Sequence, residues 1–410
     1  MNILGLVVEY NPFHNGHLYH MQEAKKAAQA DVTIAVMSGT FLQRGEPALL
    51  PKWERARMAL EAGADLTVEL PYVYSSQKAS TFANGAVSIL DMLGASHLCF
   101  GSEDGRIEPF FNSINQISQH EEKYRSSIKE YMKQGLSYPK ALSLSFEAIN
   151  GSKGDLADLT KPNNILGFQY VTSILEQGSP MRAQTIQRTS AGYHDEELPS
   201  GKIASATSLR KAIFSGNGTI NEIKPFVPES TYRILSGWSN EGNPFLSWDR
   251  YFPYLQYNAL FMTGKELSEI YEVEEGLENR LRSALKESSS FQEFMEQLKT
   301  KRYTWTRLQR MCVHVLMRTT KKQMEEAVNG ERSPYIRVLG MNPTGQRYLG
   351  SIKKNVKVPL ITNVHSFEHP ALSLDIKAAN LYAMGFPKQS RISRLKAEYA
   401  TPPVRIGFDK

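Results

Sequence analysis

The stretch Ile3-Leu4-Gly5-Leu6-Val7-Val8-Glu9-Tyr10-Asn11-Pro12-Phe13-His14-Asn15-Gly16-His17 decides the fold of this chain. Its first six residues form an apolar run, which predicts a buried β-strand. Pro12 ends the run, because it lacks an N–H and disfavours helix at the residue before it. From His17 onward apolar residues recur at helical spacing. The stretch therefore predicts a strand-to-helix junction with two histidines at the turn.

A helix N-terminus that carries two imidazoles is suited to phosphate. Its unpaired N–H groups and the positive end of the helix dipole attract anions, and Gly16 allows close approach of the backbone. The imidazoles can donate to a triphosphate whose charge rises as a bond to phosphorus breaks. One histidine at a helix start is usually a cap or a surface residue. Two that flank Asn-Gly directly after a strand favour nucleotide chemistry.

Predicted strands and helices alternate through the first half of the chain. The strands cover residues 31–37, 64–70, 96–100 and 181–187, and the helices between them include 52–62 and 77–93. This alternation predicts an α/β fold with a parallel sheet and right-handed crossovers. Ligands of such sheets bind beyond the carboxyl ends of the strands, where His14, Gly39, Arg44 and Gly101 fall. We therefore expect one nucleotide site at that edge.

Composition limits the possible functions. The 410 residues are 41% hydrophobic and 22% charged, which is typical of a globular chain of two or three domains. No stretch approaches the roughly 20 apolar residues of a membrane span, and the N-terminus resembles no signal peptide. Cys99 and Cys312 are too few and too far apart for a disulfide framework or a zinc site. We expect a cytoplasmic protein without a membrane partner and without a resident metal.

The charge distribution points to a nucleic acid. The net charge is +6, but residues 300–410 contain 20 Lys and Arg against 7 Asp and Glu. A predicted helix at 305–324 has apolar residues on one side, and its basic residues opposite should face outward. The candidate RNA-binding residues, with Arg302 just before the helix, are Arg302, Arg307, Arg310 and Arg318. An ordinary solvated basic surface is the alternative.

At this point a family resemblance becomes visible. His14-Asn15-Gly16-His17 resembles the HxGH signature of nucleotidyltransferases and class I aminoacyl-tRNA synthetases, and the helix start at 203–210 resembles their second phosphate-binding motif. The longer string from Glu9 to His17 resembles the bacterial tRNA(Met) cytidine acetate ligase family, and the similarity extends along essentially the whole chain. The resemblance implies a Rossmann-like catalytic domain at 1–216 with a helical insertion at 107–150. A mainly helical, basic tRNA-binding region at 217–410, ending in a small α/β segment, would follow.

The resemblance also implies an activity. ATP, with Mg²⁺, would activate acetate as acetyl-adenylate and release pyrophosphate, and the acetyl group would pass to the wobble cytidine of elongator tRNA(Met) as N4-acetylcytidine, leaving AMP. No DNA partner is expected. His14 and His17 would be catalytic, and Ser38, Gly39 and Arg44 would bind acetate. The ATP-binding residues would be Val7, Val8, Glu9, Tyr10, Asn11, Pro12, Phe13, His14, Asn15, Gly16, His17, Leu18, Tyr19, His20, Gly101, Asn163, Arg188, Ser205 and Thr207.

Three other functions compete with this prediction. An adenylyl- or cytidylyltransferase acting on a small phosphorylated metabolite would share the HxGH motif, but would not need a basic C-terminal region. A non-catalytic RNA-binding protein would not need both histidines or the Ser/Thr-Arg turn. An acetyl-CoA-dependent acetyltransferase is disfavoured, because the nearest match to its acetyl-CoA loop, at 347–352, lacks the last small residue.

Overall fold

One eight-stranded sheet forms the centre of the computed structural model, which describes residues 1–149, 155–188, 198, 201–215, 220–274, 276–328 and 332–408. Five strands are mutually parallel, in the order β5-β4-β1-β2-β3, and the predicted α/β fold is confirmed. Every residue of β2 and β3 is buried, so both faces of the sheet are covered at its centre. The strands are β1 Ile3–Val8, β2 Val32–Ser38, β3 Leu66–Leu70, β4 His97–Ser102, β5 Arg182–Gln187, β6 Ile336–Met341, β7 Leu360–Ile361 and β8 Val404–Arg405.

Helices connect the parallel strands and cover the sheet. The helices up to β5 are α1 Asn15–Ala28, α2 Lys52–Glu61, α3 Tyr72–Ser75, α4 Ala79–Met92, α5 Glu108–Gln119, α6 Glu121–Lys133, α7 Tyr138–Ile149 and α8 Pro162–Glu176. Helices α5 to α7 occupy the predicted insertion, whose end at residue 150 lies outside the described residues. Helix α6 buries none of its side chains, whereas Phe110 of α5 is fully buried against Phe100 of β4, so the insertion is attached to the core through α5.

The second half of the described chain is mainly helical, as its sequence pattern predicts. Its α-helices are α9 Ala206–Phe214, α10 Glu229–Asn240, α11 Phe252–Phe261, α12 Gly264–Ser268, α13 Leu277–Glu287, α14 Phe291–Leu298, α15 Trp305–Met317, α16 Lys321–Ala327, α17 Pro343–Ile352, α18 Pro370–Met384 and α19 Lys388–Ala400. Short 3₁₀ helices lie at Ile220–Phe226, Trp248–Arg250 and Val364–Ser366.

The last strands do not form a separate α/β segment. Strand β6 pairs antiparallel with β3, and β7 and β8 pair parallel with β6, so all three extend the N-terminal sheet. Helix α2 packs against β6 and β8 as well as against β2 and β3. The C-terminal segment thus completes the fold of the N-terminal one. The proposed boundary between 216 and 217 falls on residues outside the described part of the chain.

The long helix expected at 305–324 is two helices. Helix α15 ends where Arg318 adopts a left-handed conformation, with φ of 45°. Thr320 then starts α16 by accepting a hydrogen bond from the Gln323 N–H, while the Gln323 side chain accepts one from the Thr320 N–H. The apolar stripe ends at Leu316, and the capping box from Thr320 to Gln323 is the sequence signal that the prediction of one helix missed.

A cluster of buried charges fastens the C-terminal helix to the sheet. Lys52 Nζ lies 2.8 Å from Glu69 Oε2 on β3 and 2.6 Å from Glu398 Oε1 on α19. Arg337 on β6 completes the cluster, 3.4 Å from Glu69 Oε2 and paired with Glu398. Burial raises the pKa of Glu398, but Lys52 and Arg337 outweigh this effect and hold that pKa below its usual value. Two cations and two anions neutralise one another, so the charges can remain buried.

Helix α18 is fastened to the same region through Asp375. Its Oδ1 accepts a hydrogen bond of 2.6 Å from the Tyr72 backbone N–H at the start of α3, and its Oδ2 accepts one from the Tyr335 hydroxyl. Burial, and then the neighbouring Glu69, raise the pKa of Asp375 to about 7. Helices α18 and α19 are therefore attached to the sheet by buried polar contacts as well as by apolar packing.

We predict that Glu398→Gln destabilises the protein by about 3–5 kcal/mol, because Lys52 and Arg337 would lose one of their two buried carboxylates. Urea unfolding at pH 7 would measure this loss. The control is Glu326→Gln, which removes one partner of an exposed pair with Lys322 and should leave the free energy of unfolding unchanged. Equal stability of the two variants would contradict a stabilising role for the cluster.

Candidate active site

The segment after β1 is shaped by buried polar contacts. Tyr10 adopts a left-handed backbone conformation, with φ of 49°, and turns the chain sharply after the strand. The Asn11 side-chain oxygen accepts a 2.7 Å hydrogen bond from the Leu49 N–H. Arg55 on α2, fully buried, donates to the backbone carbonyls of Glu9, Ser38, Gly39 and Leu50. One guanidinium therefore holds the chain where it leaves two neighbouring strands, β1 and β2.

His14 and His17 cap helix α1 reciprocally. His14 is the N-cap, one residue before the helix start, and its Nδ1 accepts a 3.1 Å hydrogen bond from the Gly16 N–H. The Nδ1 of His17 accepts a 3.3 Å bond from the His14 N–H, and the two rings stack with centroids 3.6 Å apart. Because each Nδ1 acts as an acceptor, each neutral ring carries its proton on Nε2. The cap thus fixes two Nε2–H donors side by side.

A third histidine and an arginine lie beside this pair. A Cβ built on Gly101 at the end of β4 would lie 3.2 Å from Arg188 Cγ and 3.9 Å from His20 Cδ2. Arg188 directly follows β5, and its charge adds to the burial that lowers the pKa of His14, His17 and His20. The carboxyl ends of β1, β4 and β5 therefore converge on one site, as the sheet topology predicts.

The site keeps its histidines neutral. Removal of water from the ring lowers the pKa of His14 to about 3 and that of His20 to about 4, and Arg188 adds to both shifts. The same desolvation lowers the pKa of His17 well below its ordinary value, and His14 and Arg188 add to this shift. Cations that disfavour an imidazolium favour an anion in the same place. The arrangement is therefore suited to a polyphosphate.

Polar side chains around β4 complete one edge of the site. Asn163, in the first turn of α8, donates a 3.0 Å hydrogen bond to Glu103 Oε1. Asn164 Oδ1 accepts a bond of 3.3 Å from the Glu103 N–H. Burial lowers the pKa of Arg188 and the Glu103 carboxylate partly opposes this shift, so this acid lies near the guanidinium. Sequence reasoning missed Glu103, although a carboxylate directly after β4 was a usable signal.

The start of helix α9 lies against the histidine turn. Ser205 caps the helix by accepting a 3.0 Å hydrogen bond from the Ser208 N–H, and Thr207 is exposed in the first turn. Ile203 Cγ2 would lie 3.4 Å from a Cβ on Gly16. Arg210 donates to the Asn11 carbonyl at 3.1 Å and pairs with Glu46 at 2.7 Å. The second predicted phosphate motif is thus adjacent to the first.

Comparison with known proteins identifies the family. The family model HIGH Nucleotidyl Transferase matches residues 1–397. The chain is 49% identical over 412 residues to the tRNA(Met) cytidine acetate ligase of Bacillus subtilis, with 100% of this chain and 99% of the relative covered. The enzyme of the same name from Anoxybacillus flavithermus is 46% identical over 407 residues, covering 99% and 100% of the two chains. The chain belongs to the tRNA(Met) cytidine acetate ligase family.

Solved structures of the family agree with the fold. Thermotoga maritima TmcAL in an apo crystal form matches with a TM-score of 0.90 and 32% identity, over 100% of both chains. TmcAL bound to alpha-thio ATP matches with a TM-score of 0.87 and 31% identity, again over both full chains. Among the described residues of this family member, no helix is long and apolar enough to span a membrane. In that same part of the chain, no three His, Cys, Asp or Glu side chains group as metal ligands.

The three residues expected to bind acetate in this family member have different neighbours. The carbonyls of Ser38 and Gly39 accept hydrogen bonds from Arg55, and a Cβ on Gly39 would overlap Glu69 Oε1. Because Lys52 and Arg337 neutralise the Glu69 carboxylate, its closeness to Gly39 does not exclude an anion here, and the assignment of Ser38 and Gly39 to acetate stays a prediction. The charged neighbours of Arg44 are instead Glu9, Glu46 and Arg210. All three residues stay candidates for acetate.

The basic residues of α15 do not form an outward ridge. Arg310 is buried and lies 2.9 Å from Glu272 Oε1, and His314 is fully buried. Every residue from Leu308 to Met317 is buried, because other helices cover the side opposite the apolar stripe. The expectation that Arg310 faces outward is therefore wrong. Arg307 pairs with Glu274 at 2.9 Å, while Arg302 and Arg318 are exposed and stay candidates for RNA contact.

We predict that His14 and His17 are neutral Nε2–H tautomers at pH 7 in the ligand-free protein. With pKa values of about 3 and about 4, His14 and His20 should not titrate between pH 8 and pH 5. ¹⁵N NMR of the imidazole nitrogens measures both properties, with His14→Asn, His17→Asn and His20→Asn variants for assignment. Titration of His14 near its ordinary pKa, or a proton on Nδ1, would contradict the capping geometry. Bound ATP should shift the pKa values of His14 and His20 upward, because a nearby anion favours the imidazolium.

Proposed function

We propose that this protein is an ATP-dependent ligase that acetylates the wobble cytidine of elongator tRNA(Met) to N4-acetylcytidine. The observation that carries the proposal is the pair of Nε2–H donors at the start of α1, beside Arg188 and Arg210, in a full-length member of the cytidine acetate ligase family. Acetate is a poor acyl donor, so it must first acquire a good leaving group. ATP would supply that group as AMP.

In the first step, a carboxylate oxygen of acetate attacks the α-phosphorus of ATP. The bond from that phosphorus to the bridging oxygen breaks, and pyrophosphate leaves with the electron pair. His14 and His17 would donate Nε2–H bonds to the phosphates as their charge rises, and Arg188 and Arg210 would add positive charge. The capping bonds already fix both rings, so little reorganisation is needed at the moment of reaction.

The nucleotide would lie across the carboxyl ends of β1, β4 and β5. The β1–α1 turn would surround the phosphates, with Ser205 and Thr207 at the start of α9 on their far side. Gly101 leaves room for the nucleoside, and Asn163, held by Glu103, could bind a ribose hydroxyl. Mg²⁺ would enter with the triphosphate, and Arg44 would pair with acetate.

In the second step, the N4 amine of cytidine attacks the acetyl carbonyl of the mixed anhydride. The carbonyl–oxygen bond to AMP breaks, AMP leaves with the electron pair, and the amine loses one proton. Full-length likeness to the cytidine acetate ligases favours this function over a nucleotidyltransferase for small metabolites or a non-catalytic RNA-binding protein. Because its substrates would be ATP and a tRNA, we place the reaction in the cytoplasm.

We expect His17→Ala to lower the rate of acetate-dependent ATP–pyrophosphate exchange at least about 10²-fold, a typical cost of losing one electrostatic donor. The exchange is measured with labelled pyrophosphate, with tRNA added if the reaction requires it. His120→Ala, which removes an exposed histidine between α5 and α6, serves as the control and should retain full activity. A His17→Ala enzyme that keeps the wild-type rate would remove this residue from the adenylation step.

Product analysis separates the proposed reaction from its alternatives. Incubation with ATP, labelled acetate and tRNA should yield label in the RNA together with AMP and pyrophosphate. ADP and phosphate would place the attack at the γ-phosphorus and refute the adenylate step. If acetyl-CoA is required for labelling, or if no label reaches the RNA, the proposed function is wrong.

A further inference from the structure

Two aromatic side chains on helix α11 are unusually exposed. Tyr257 retains 63% of its accessible surface and Phe261 retains 75%. Their rings contact each other, with centroids 4.8 Å apart and planes inclined by 35°. A single exposed apolar side chain needs no explanation, but a pair of touching aromatic rings held in water marks an interaction site.

The orientation of the two rings is fixed by the rest of the helix. Phe252, Leu255 and Ala259 bury the inner face of α11. Residues 257 and 261 are four positions apart and therefore share one stripe on the outer face. Because the inner face is anchored in the core, the rings are held outward by the helix itself.

An arginine is held beside this pair through Asn258. The Asn258 side-chain amide donates to the carbonyls of Val315 and Leu316 at the end of α15, at 3.2 and 2.9 Å. Its oxygen accepts a 2.6 Å hydrogen bond from Arg318 Nε. On a helix, position 258 lies about 60° from position 261, on the side away from Tyr257. Arg318 is thus held on the Phe261 side of the pair.

The charge around Arg318 is mixed but includes a second cation. Lys377 on α18 is near, since burial and then Arg318 lower its pKa. Glu266 is the nearby acid, and its pKa is lowered by hydrogen bonds from Thr263 and then by Arg318. The Glu266 carboxylate is already used, because it caps α12 by accepting the Thr263 N–H and hydroxyl.

We propose that Tyr257, Phe261 and Arg318 form a stacking platform for unpaired bases of the substrate tRNA. The proposal rests on the proposed function, and it adds where the tRNA contacts the protein. Proteins recognise single-stranded RNA by stacking bases on aromatic side chains and arginine planes, while cations bind the adjacent phosphates. Two exposed rings with a fixed arginine at their edge supply these groups.

The position of the platform fits this role. Gln309 in α15 donates a 3.1 Å hydrogen bond to the Arg44 carbonyl, so the beginning of α15 adjoins the loop proposed to bind acetate. Arg318 follows nine residues later, which places it about 14 Å further along the helix axis at 1.5 Å per residue. Bases a few nucleotides from the reacting cytidine could therefore reach the platform.

A second copy of the chain is a poorer occupant. A fully buried aromatic side chain contributes about 150–250 Å², so rings with these exposures offer roughly 200–350 Å² together. A stable protein interface buries about 800 Å² on each partner. By themselves the two rings supply less than half of that area, whereas their size suits one or two bases.

The test measures tRNA affinity by filter binding at several salt concentrations. Phe261→Leu keeps an apolar side chain without the ring, and we expect binding to weaken by about fivefold to a hundredfold with an unchanged salt dependence. The Phe261→Trp variant, which keeps an aromatic ring, should bind tRNA as tightly as the wild type. The Arg318→Asn variant removes the cation but keeps a residue type that tolerates the left-handed backbone. It should instead flatten the slope of log affinity against log salt by about 0.7, because one phosphate contact is lost. Thermal unfolding of each variant checks that it is folded.

The control is Phe111→Ala, which removes an exposed aromatic ring from α5 and should not change tRNA affinity. Wild-type affinity in both Phe261→Leu and the Tyr257→Ala/Phe261→Ala double variant would refute the platform, while wild-type acetylation of tRNA would still support the proposed function. A wild-type protein that neither binds nor acetylates tRNA would refute both. A change from dimer to monomer in the double variant, with tRNA affinity unchanged, would assign the rings to a protein interface instead.

Discussion

The neutralisation of four buried charges is the constraint on which this structure depends. Lys52, Glu69, Arg337 and Glu398 come from α2, β3, β6 and α19, which are widely separated in the sequence. Each charge would be costly to bury alone, so the four elements must assemble together. The C-terminal helix is consequently as much a part of the catalytic fold as the strands are. Glu69 also lies close to Gly39, one of the residues predicted to bind acetate.

The candidate active site obtains its chemistry from a capping interaction. Histidine is an uncommon N-cap, and here two histidines accept the backbone N–H groups that Ser or Thr at the N-cap and Glu or Gln at N3 accept in the usual capping box. The capping bonds fix the tautomer, the tautomer leaves Nε2–H as the donor, and desolvation keeps both rings uncharged. The cap at the start of the helix thus leaves a pair of fixed Nε2–H donors, which the proposed mechanism directs at phosphate.

The proposed acetate and RNA sites are connected by helix α15. Its N-terminal half contacts the loop that contains Arg44, and Asn258 binds its C-terminal end beside the exposed rings of α11. Between these ends the helix is buried and makes an internal ion pair through Arg310 and Glu272. A rigid buried helix of this kind can hold two sites at a fixed separation, which is what a reaction between a bound adenylate and a large RNA requires.

The sequence by itself determined the α/β fold and the β1–α1 junction. Both depend on contiguous residues: apolar runs at strand spacing, a proline that stops them, and histidines at the helix start. It also indicated that Gly101 and Arg188 belong with the histidines, because the carboxyl ends of parallel strands meet at one edge. The tertiary structure alone decided where charges face. The pattern of α15 left Arg310 outside its apolar stripe, yet packing from other helices buries it against Glu272. Likewise β6 looked like the start of a separate segment, because strand pairing across the 265 residues between β3 and β6 leaves no local signal. Exposure and charge pairing depend on which distant elements cover a surface, and a sequence pattern reports only its own helix or strand.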